Sequence, residues 1–241
     1  MRLPVLNIDS DDIPERVLVV GDPARAAKVA EHLGDVRHVG TNREYATYVG
    51  THHGTTVGVV SHGVGAAGAG VCFEELWRAG AQRIIRAGTC GGMQPDVVDG
   101  HLVIVTGAVR EDGLTERLVP MSFPALASTD VVVALRSAAL GSEHIHEGVA
   151  LTGAVFYPSD VLGSDLALWQ KAGVTAVEME CSALFITAAL HGREAGAVLA
   201  VDGNPLIEKD DDMSGYDPHR PVVHEAVDRM IAIALDALVT A

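Results

Sequence analysis

Four places in this 241-residue chain set polar side chains at the end of an apolar run, where packing alone would not choose them. The run 17–20 enters Gly21-Asp22-Pro23-Ala24-Arg25. A glycine-opened turn before a helix offers free N–H groups and a positive dipole end, which suits an anion. Arg25 in the first helical turn opposes that dipole, so an anion could hold it there, unless the segment is a plain β–α turn with a surface arginine. Ile84-Ile85 ends on Arg86, followed by Gly88-Thr89-Cys90-Gly91-Gly92. An unpaired buried guanidinium is prohibitive, so Arg86 meets either a phosphate, in a fork-like donor set with Arg25 and the Thr89 hydroxyl, or a structural carboxylate. Val177-Glu178-Met179-Glu180 and Asp202-Gly203 bring carboxylates to two more run ends. Such carboxylates could serve as acid and nucleophile on a glycoside, as a ribose clamp with a general acid, or as a helix cap and a turn.

A fifth stretch, Ser61-His62-Gly63-Val64-Gly65-Ala66-Ala67-Gly68, contains G-x-G-x-x-G. Read as a dinucleotide fingerprint it needs an acidic residue about 20 positions on, yet that place holds Arg83 to Arg86. The glycines therefore point to close backbone packing or approach to a sugar. His144-x-His146 has metal-like spacing without a third ligand of matching logic, so a surface pair is expected and no metal site. His52-His53 falls in a hairpin turn, and Asp210–Asp212 reads as a solvated loop because EF-hand spacing is absent.

These residues need elements to hold them. Short β-branched runs at 16–20, 46–51, 55–61, 83–87, 101–109, 148–155, 174–178 and 195–201 alternate with helical segments at 24–33, 66–79, 129–140, 166–172, 181–191 and 219–239. That alternation predicts one α/β domain spanning 1–241, without repeats or a linker. The turn of the 46–61 hairpin is expected between Gly50 and Gly54, and 110–128 and 203–218 are expected to be mobile loops. Hydrophobic residues make up 48% of the chain, enough for a large core. Lys plus Arg number 17 against 32 Asp plus Glu, a net charge of −15, which disfavours nucleic acid and anionic membranes as partners. An anionic substrate would then need arginines gathered locally. Three cysteines without C-x-x-C spacing, and no signal-like or membrane-length segment, predict a reduced cytoplasmic protein.

Taken together, VVGDPAR (19–25), NREY (42–45), SHGVGAAGAGVCFEEL (61–76), IIRAGTCGG (84–92), VREDGL (109–114), VFYPSD (155–160), VEMECSAL (177–184) and VDGNPL (201–206) resemble the hexameric nucleoside phosphorylase family. That family includes uridine phosphorylases and bacterial and protozoan purine nucleoside phosphorylases. The resemblance implies a three-layer α/β/α fold around a central mixed sheet. It implies reversible phosphorolysis of a nucleoside to free base and ribose 1-phosphate, with phosphate as co-substrate, no cofactor and no metal. By that likeness Gly21, Arg25, Arg86 and Thr89 hold phosphate, and Arg43 reaches it from a neighbouring subunit. Met179 and Glu180 hold the ribose. Phe156, Tyr157, Val177 and Asp202 face the base, and Asp202 is the general acid, with Arg86 the other catalytic residue. A hexamer built from dimers that share active sites follows.

Uridine phosphorylases carry Gln and Arg shortly after their FYP-like segment, where this chain has Asp160 and Leu162. The VDG stretch resembles protozoan purine enzymes, so inosine or guanosine is the expected substrate and uridine the alternative. Two departures stand out: Val5, Leu6 and Asn7 replace an N-terminal His that holds a 5′-oxygen, and Glu208-Lys209-Asp210 replaces a Trp-containing run. A nucleoside hydrolase, a non-catalytic nucleoside-binding protein and a nicotinamide oxidoreductase remain as other classes.

Overall fold

The computed structural model of the chain describes residues 1–206 and 216–240. Its elements run β1 (Arg16–Val20), α1 (Pro23–Ala30), β2 (Gly34–Asn42), β3 (Tyr45–His52), β4 (Thr55–Ser61), α2 (Ala66–Ala79) and β5 (Arg83–Gly92). There follow β6 (Leu102–Glu111), β7 (Ala125–Leu126), α3 (Thr129–Ala138), β8 (Ile145–Gly153), α4 (Leu166–Lys171), β9 (Ala176–Glu178), α5 (Cys181–His191), β10 (Glu194–Gly203) and α6 (Pro221–Val239). No helix among the described residues is long and apolar enough to cross a membrane.

Strand alternation splits the core in two. Val17, Val19, Ile84, Ala197 and Leu199 pack with α2 and α5, while Leu18, Val20, Ile85, Val198 and Ala200 pack with α1, α3 and α6. This is the expected layering of helices on both faces of a mixed sheet. The sheet also curls shut: β10 pairs parallel to β5 on one side and antiparallel to β6 on the other, and β6–β8–β9 leads back to β5. β1, β4, β3 and β2 extend outward from that closed part. The order β10–β5–β1–β4 is parallel throughout, so four carboxyl ends emerge side by side. Ligands of open α/β sheets bind at such ends.

Three expectations change. β2 was not foreseen, because its side chains are mostly exposed and show no apolar period. The hairpin turns at His53-Gly54, and Gly50 lies inside β3, where an added Cβ would come within 2.8 Å of the Leu33 Cβ. The segment 110–128 is pinned. Buried Arg110 donates to the carbonyls of Thr115, Val119, Pro120, Met121 and Phe123 and to the Thr115 hydroxyl, at 2.6–3.2 Å. Asp112 accepts from the Thr115 N–H and hydroxyl and from the Ser182 hydroxyl, each at 2.6 Å. The acidic triplet Asp210–Asp212 and most of 203–218 lie outside the described residues. Arg110→Met strands several buried carbonyls at once and should lower unfolding free energy by about 3 kcal/mol. An unchanged urea midpoint would refute the clamp.

Candidate functional site

The site forms where the four parallel strands end. Arg86 follows Ile84 on the face covered by α2 and α5 and is in register with Val19 of β1 and Ala197 of β10. Its guanidinium is buried and bonds the Glu180 carboxylate through Nη2, which also lies 3.3 Å from Glu178. Nε and Nη1 have no hydrogen-bond partner among the described residues. Nη1 occupies the space beside Gly88, where an added Cβ would stand 1.4 Å from it, so no other residue fits there with the guanidinium in place. Burial works to lower the Arg86 pKa, but Glu180 and Glu178 outweigh it and raise it.

The two carboxylates divide their work. Glu178 caps α5: it accepts the backbone N–H groups of Glu180 at 2.7 Å and Cys181 at 2.9 Å, and the Thr152 hydroxyl at 2.6 Å. Glu180, expected among the alternatives to be that cap, instead turns inward. Its Oε1 accepts the Gly65 N–H at 2.6 Å, at the start of α2, and its Oε2 takes Arg86. The glycine-rich stretch thus anchors a carboxylate. A carboxylate offers about four lone pairs, so Glu180 retains acceptor capacity for two hydroxyls. Burial raises the Glu178 pKa, whereas at Glu180 burial is outweighed by Arg86, His62 and the Gly65 N–H acting together, and the pKa is lowered.

Arg25 lies in the first turn of α1, whose N-cap is Asp22. It makes no ion pair among the described residues, and burial together with nearby Arg86 lowers its pKa. Gly21 lies against the Gly63 carbonyl and the His62 ring, so the β1 and β4 ends touch. Asp202 sits at the β10 bulge beside β5. It accepts the Tyr216 hydroxyl at 2.8 Å and is bonded by Thr89. Burial raises its pKa despite these bonds and Arg25. Val177 pairs with Gly91, and Met179 is partly buried between the two carboxylates in sequence. Phe156 and Tyr157 are exposed, with Phe156 6.2 Å from the Tyr216 ring. Arg43 is exposed at the β2–β3 turn and makes no hydrogen bond or ion pair among the described residues.

Sequence reasoning missed three participants. Arg220 donates to the Asp202 carbonyl at 2.9 Å, and Tyr216 holds its side chain; both come from a stretch without periodicity. His62 is fully buried at the β4 end. Its Nδ1 donates to the Gly63 carbonyl at 2.9 Å, leaving Nε2 a lone-pair acceptor without a partner among the described residues. Its position after a buried strand was the signal available.

Burial, with Arg86 and Arg25 adding like charge, holds the His62 pKa down at about 4. Below its ordinary value of about 6.5 the unfolded chain takes up a proton that the native site refuses. Stability from this group is therefore full above pH 6.5 and falls by about 3 kcal/mol as pH drops towards 4. His62→Gln should lose that increment of acid sensitivity in urea titrations between pH 7 and 4.5; parallel wild-type and variant curves would contradict it.

The geometry collects two arginines, a carboxylate with spare acceptor capacity and a buried carboxyl near the carboxyl ends of the parallel strands, which suits an anion beside a polyol. Residues 15–240 match the phosphorylase superfamily. A purine nucleoside phosphorylase of Plasmodium falciparum (isolate 3D7) is 37% identical over 234 residues, 96% of this chain and 94% of that protein. A uridine phosphorylase of Treponema pallidum (strain Nichols) is 39% identical over 209 residues, 83% and 81% of the two chains. The crystal structure of purine nucleoside phosphorylase from Toxoplasma gondii in complex with immucillin-H matches with a TM-score of 0.93 and 33% identity, covering 99% of this chain and 96% of that one. Sequence and fold agree over nearly the whole length, and the chain belongs to the phosphorylase superfamily.

Proposed function

We propose that this protein is a nucleoside phosphorylase acting on a purine nucleoside, inosine or guanosine, with inorganic phosphate as co-substrate and no cofactor. The observation that carries the reading is the meeting of Arg86 with Glu180: one guanidinium keeps donors at Nε and Nη1 while its Nη2 fixes the carboxylate beside it. Arg25, Arg86, Thr89 and the Gly21 turn hold phosphate. Glu180 accepts the 2′- and 3′-hydroxyls, with Met179 against the sugar. Phe156, Tyr157 and Val177 border the base.

The glycosidic C1′–N bond breaks as its electron pair leaves with the base, and positive charge builds on the sugar. The phosphate anion stabilises that charge and a phosphate oxygen forms the new C1′–O bond. Asp202 protonates N7 of the leaving purine, and the proton that phosphate gives up restores the acid. Burial suits Asp202 to this step, since a raised pKa keeps more of the acid form. We further infer one domain over 1–241, a cytoplasmic location, and a hexamer built from three dimers in which Arg43 completes a neighbour's phosphate site.

Uridine is the second reading, favoured by the likeness to the Treponema pallidum uridine phosphorylase. Asp160 and Leu162, at places where uridine enzymes carry Gln and Arg, support the purine. The test is free-base release from inosine, guanosine and uridine with and without phosphate. Phosphate-dependent release from the purine nucleosides is expected. Release from uridine alone would overturn the base, release without phosphate would make it a hydrolase, and no release would leave a binding protein. Asp202→Asn should cut kcat for inosine by about 10²-fold or more with little change in nucleoside binding. The wild-type rate should fall as rising pH ionises Asp202, and a variant with near-normal turnover would remove the acid role.

A further inference from the structure

We propose that His52, His53 and Asp236 form a binding site for a divalent transition cation, of which zinc is the probe of choice. Successive side chains of a strand point to opposite faces, so neighbouring histidines do not ordinarily converge. Here His52 closes β3, and His53 takes φ 47°, in the left-handed region, which swings its ring back to the same side. Both rings reach the same carboxylate oxygen on α6: His52 Nε2 is 2.7 Å and His53 Nε2 3.2 Å from Asp236 Oδ1. The ring centroids are 4.2 Å apart, tilted by 52°. Three ligand atoms, two imidazole nitrogens and one carboxylate oxygen, lie within 4.8 Å of one another.

Bonds of about 2.0–2.1 Å in a tetrahedral site place ligand atoms roughly 3.3 Å apart. Two of the spacings here, 2.7 and 3.2 Å, fall just below that value and the third is within 4.8 Å, so small side-chain rotations suffice. Two neutral imidazoles and one carboxylate suit zinc and its neighbours better than calcium or magnesium, which take oxygen ligands. His53 is exposed and Asp236 half-buried, which leaves water free to complete the coordination. A net charge of −15 favours a cation near the surface.

The cation would tie the β3–β4 turn to the last helix. β4 starts at this turn and ends at the Ser61–His62 edge, so roughly 20 Å of strand separates the cation from Arg86 and Glu180. The site is thus a staple between chain regions 184 residues apart, independent of the proposed reaction. The other histidine group, His101, His144 and His146, is built differently. His101 and His144 stack face to face at 4.5 Å and 3°, and His101 Nδ1 already shares a 2.9 Å hydrogen bond with His146 Nε2. It turns ring faces towards one another, and serves as the control.

Zinc is titrated by calorimetry into the full-length, tag-free protein stripped of metal. One site per chain is expected, with a raised thermal unfolding midpoint. His53→Ala and Asp236→Asn should each weaken binding by more than about tenfold, while His146→Ala leaves it unchanged. Circular dichroism and the metal-free midpoint of each variant report whether it folds, and His53 is exposed enough for its removal to be tolerated. Absence of saturable binding, equal binding in His53→Ala and Asp236→Asn, or loss in His146→Ala instead would overturn the site.

Discussion

A guanidinium cannot be buried alone, and much of this molecule is arranged around that constraint at Arg86. The cation lies inside β5, which runs on to Gly92 rather than ending near Arg86 as the sequence suggested, so its counter-charge must come from whatever the sheet brings over it. β9 supplies it: pairing of Val177 with Gly91 and Ala176 with Gly92 lays the strand across the end of β5 and delivers Glu178 and Glu180 directly. Glu178 stays engaged with the start of α5, and Glu180 reaches across to the start of α2. One ion-pair cluster therefore locks two helices and two strands. Gly88 is its steric condition, because any side chain there would occupy the guanidinium's place.

The same arrangement explains how a structural pairing and a binding role coexist in one residue. Arg86 spends Nη2 on carboxylates and keeps donors at Nε and Nη1. Glu180 spends one interaction per oxygen and keeps a lone pair on each. The pair is therefore half committed to the fold, with donors and lone pairs to spare. On the proposed reading, phosphate and ribose hydroxyls sit at opposite ends of one ion pair. Fixing one end then restricts motion at the other and places the nucleophile in line with C1′.

Much of this was legible in the sequence, for a physical reason. Runs such as Val17–Val20 and Ile84-Ile85 are buried on both faces, so strands could be located and the polar residues beside them singled out. Arg86, Glu180 and Asp202 stood out because buried charge is improbable without a purpose. What stayed hidden depends on tertiary closure. β2 has exposed residues and no period, and Arg110 satisfies carbonyls that no local pattern reveals. Tyr216 and Arg220 reach Asp202 from 14 and 18 residues away, a distance at which loop sequence carries no geometric signal. His62 could be seen but not assigned, since its significance lies in one nitrogen left unpaired among the described residues.

An acidic protein that binds an oxyanion must resolve a conflict of fields, and Asp202 bears on it. At −15 the overall charge repels phosphate, although salt screens that repulsion beyond about 8–10 Å. Inside that distance the sign is set locally by Arg25 and Arg86 against Glu178, Glu180 and Asp202. Burial raises the Asp202 pKa, and each increment of protonation removes negative charge beside Arg25. A bound phosphate adds its own negative charge and pushes that pKa further in the same direction. By linkage the effect is reciprocal: the protonated carboxyl binds phosphate more tightly than the carboxylate does, by the factor through which phosphate favours the proton. On the proposed reading, anion binding and charging of the general acid are then one equilibrium, and the group that gives a proton to the base is loaded by the arrival of the nucleophile.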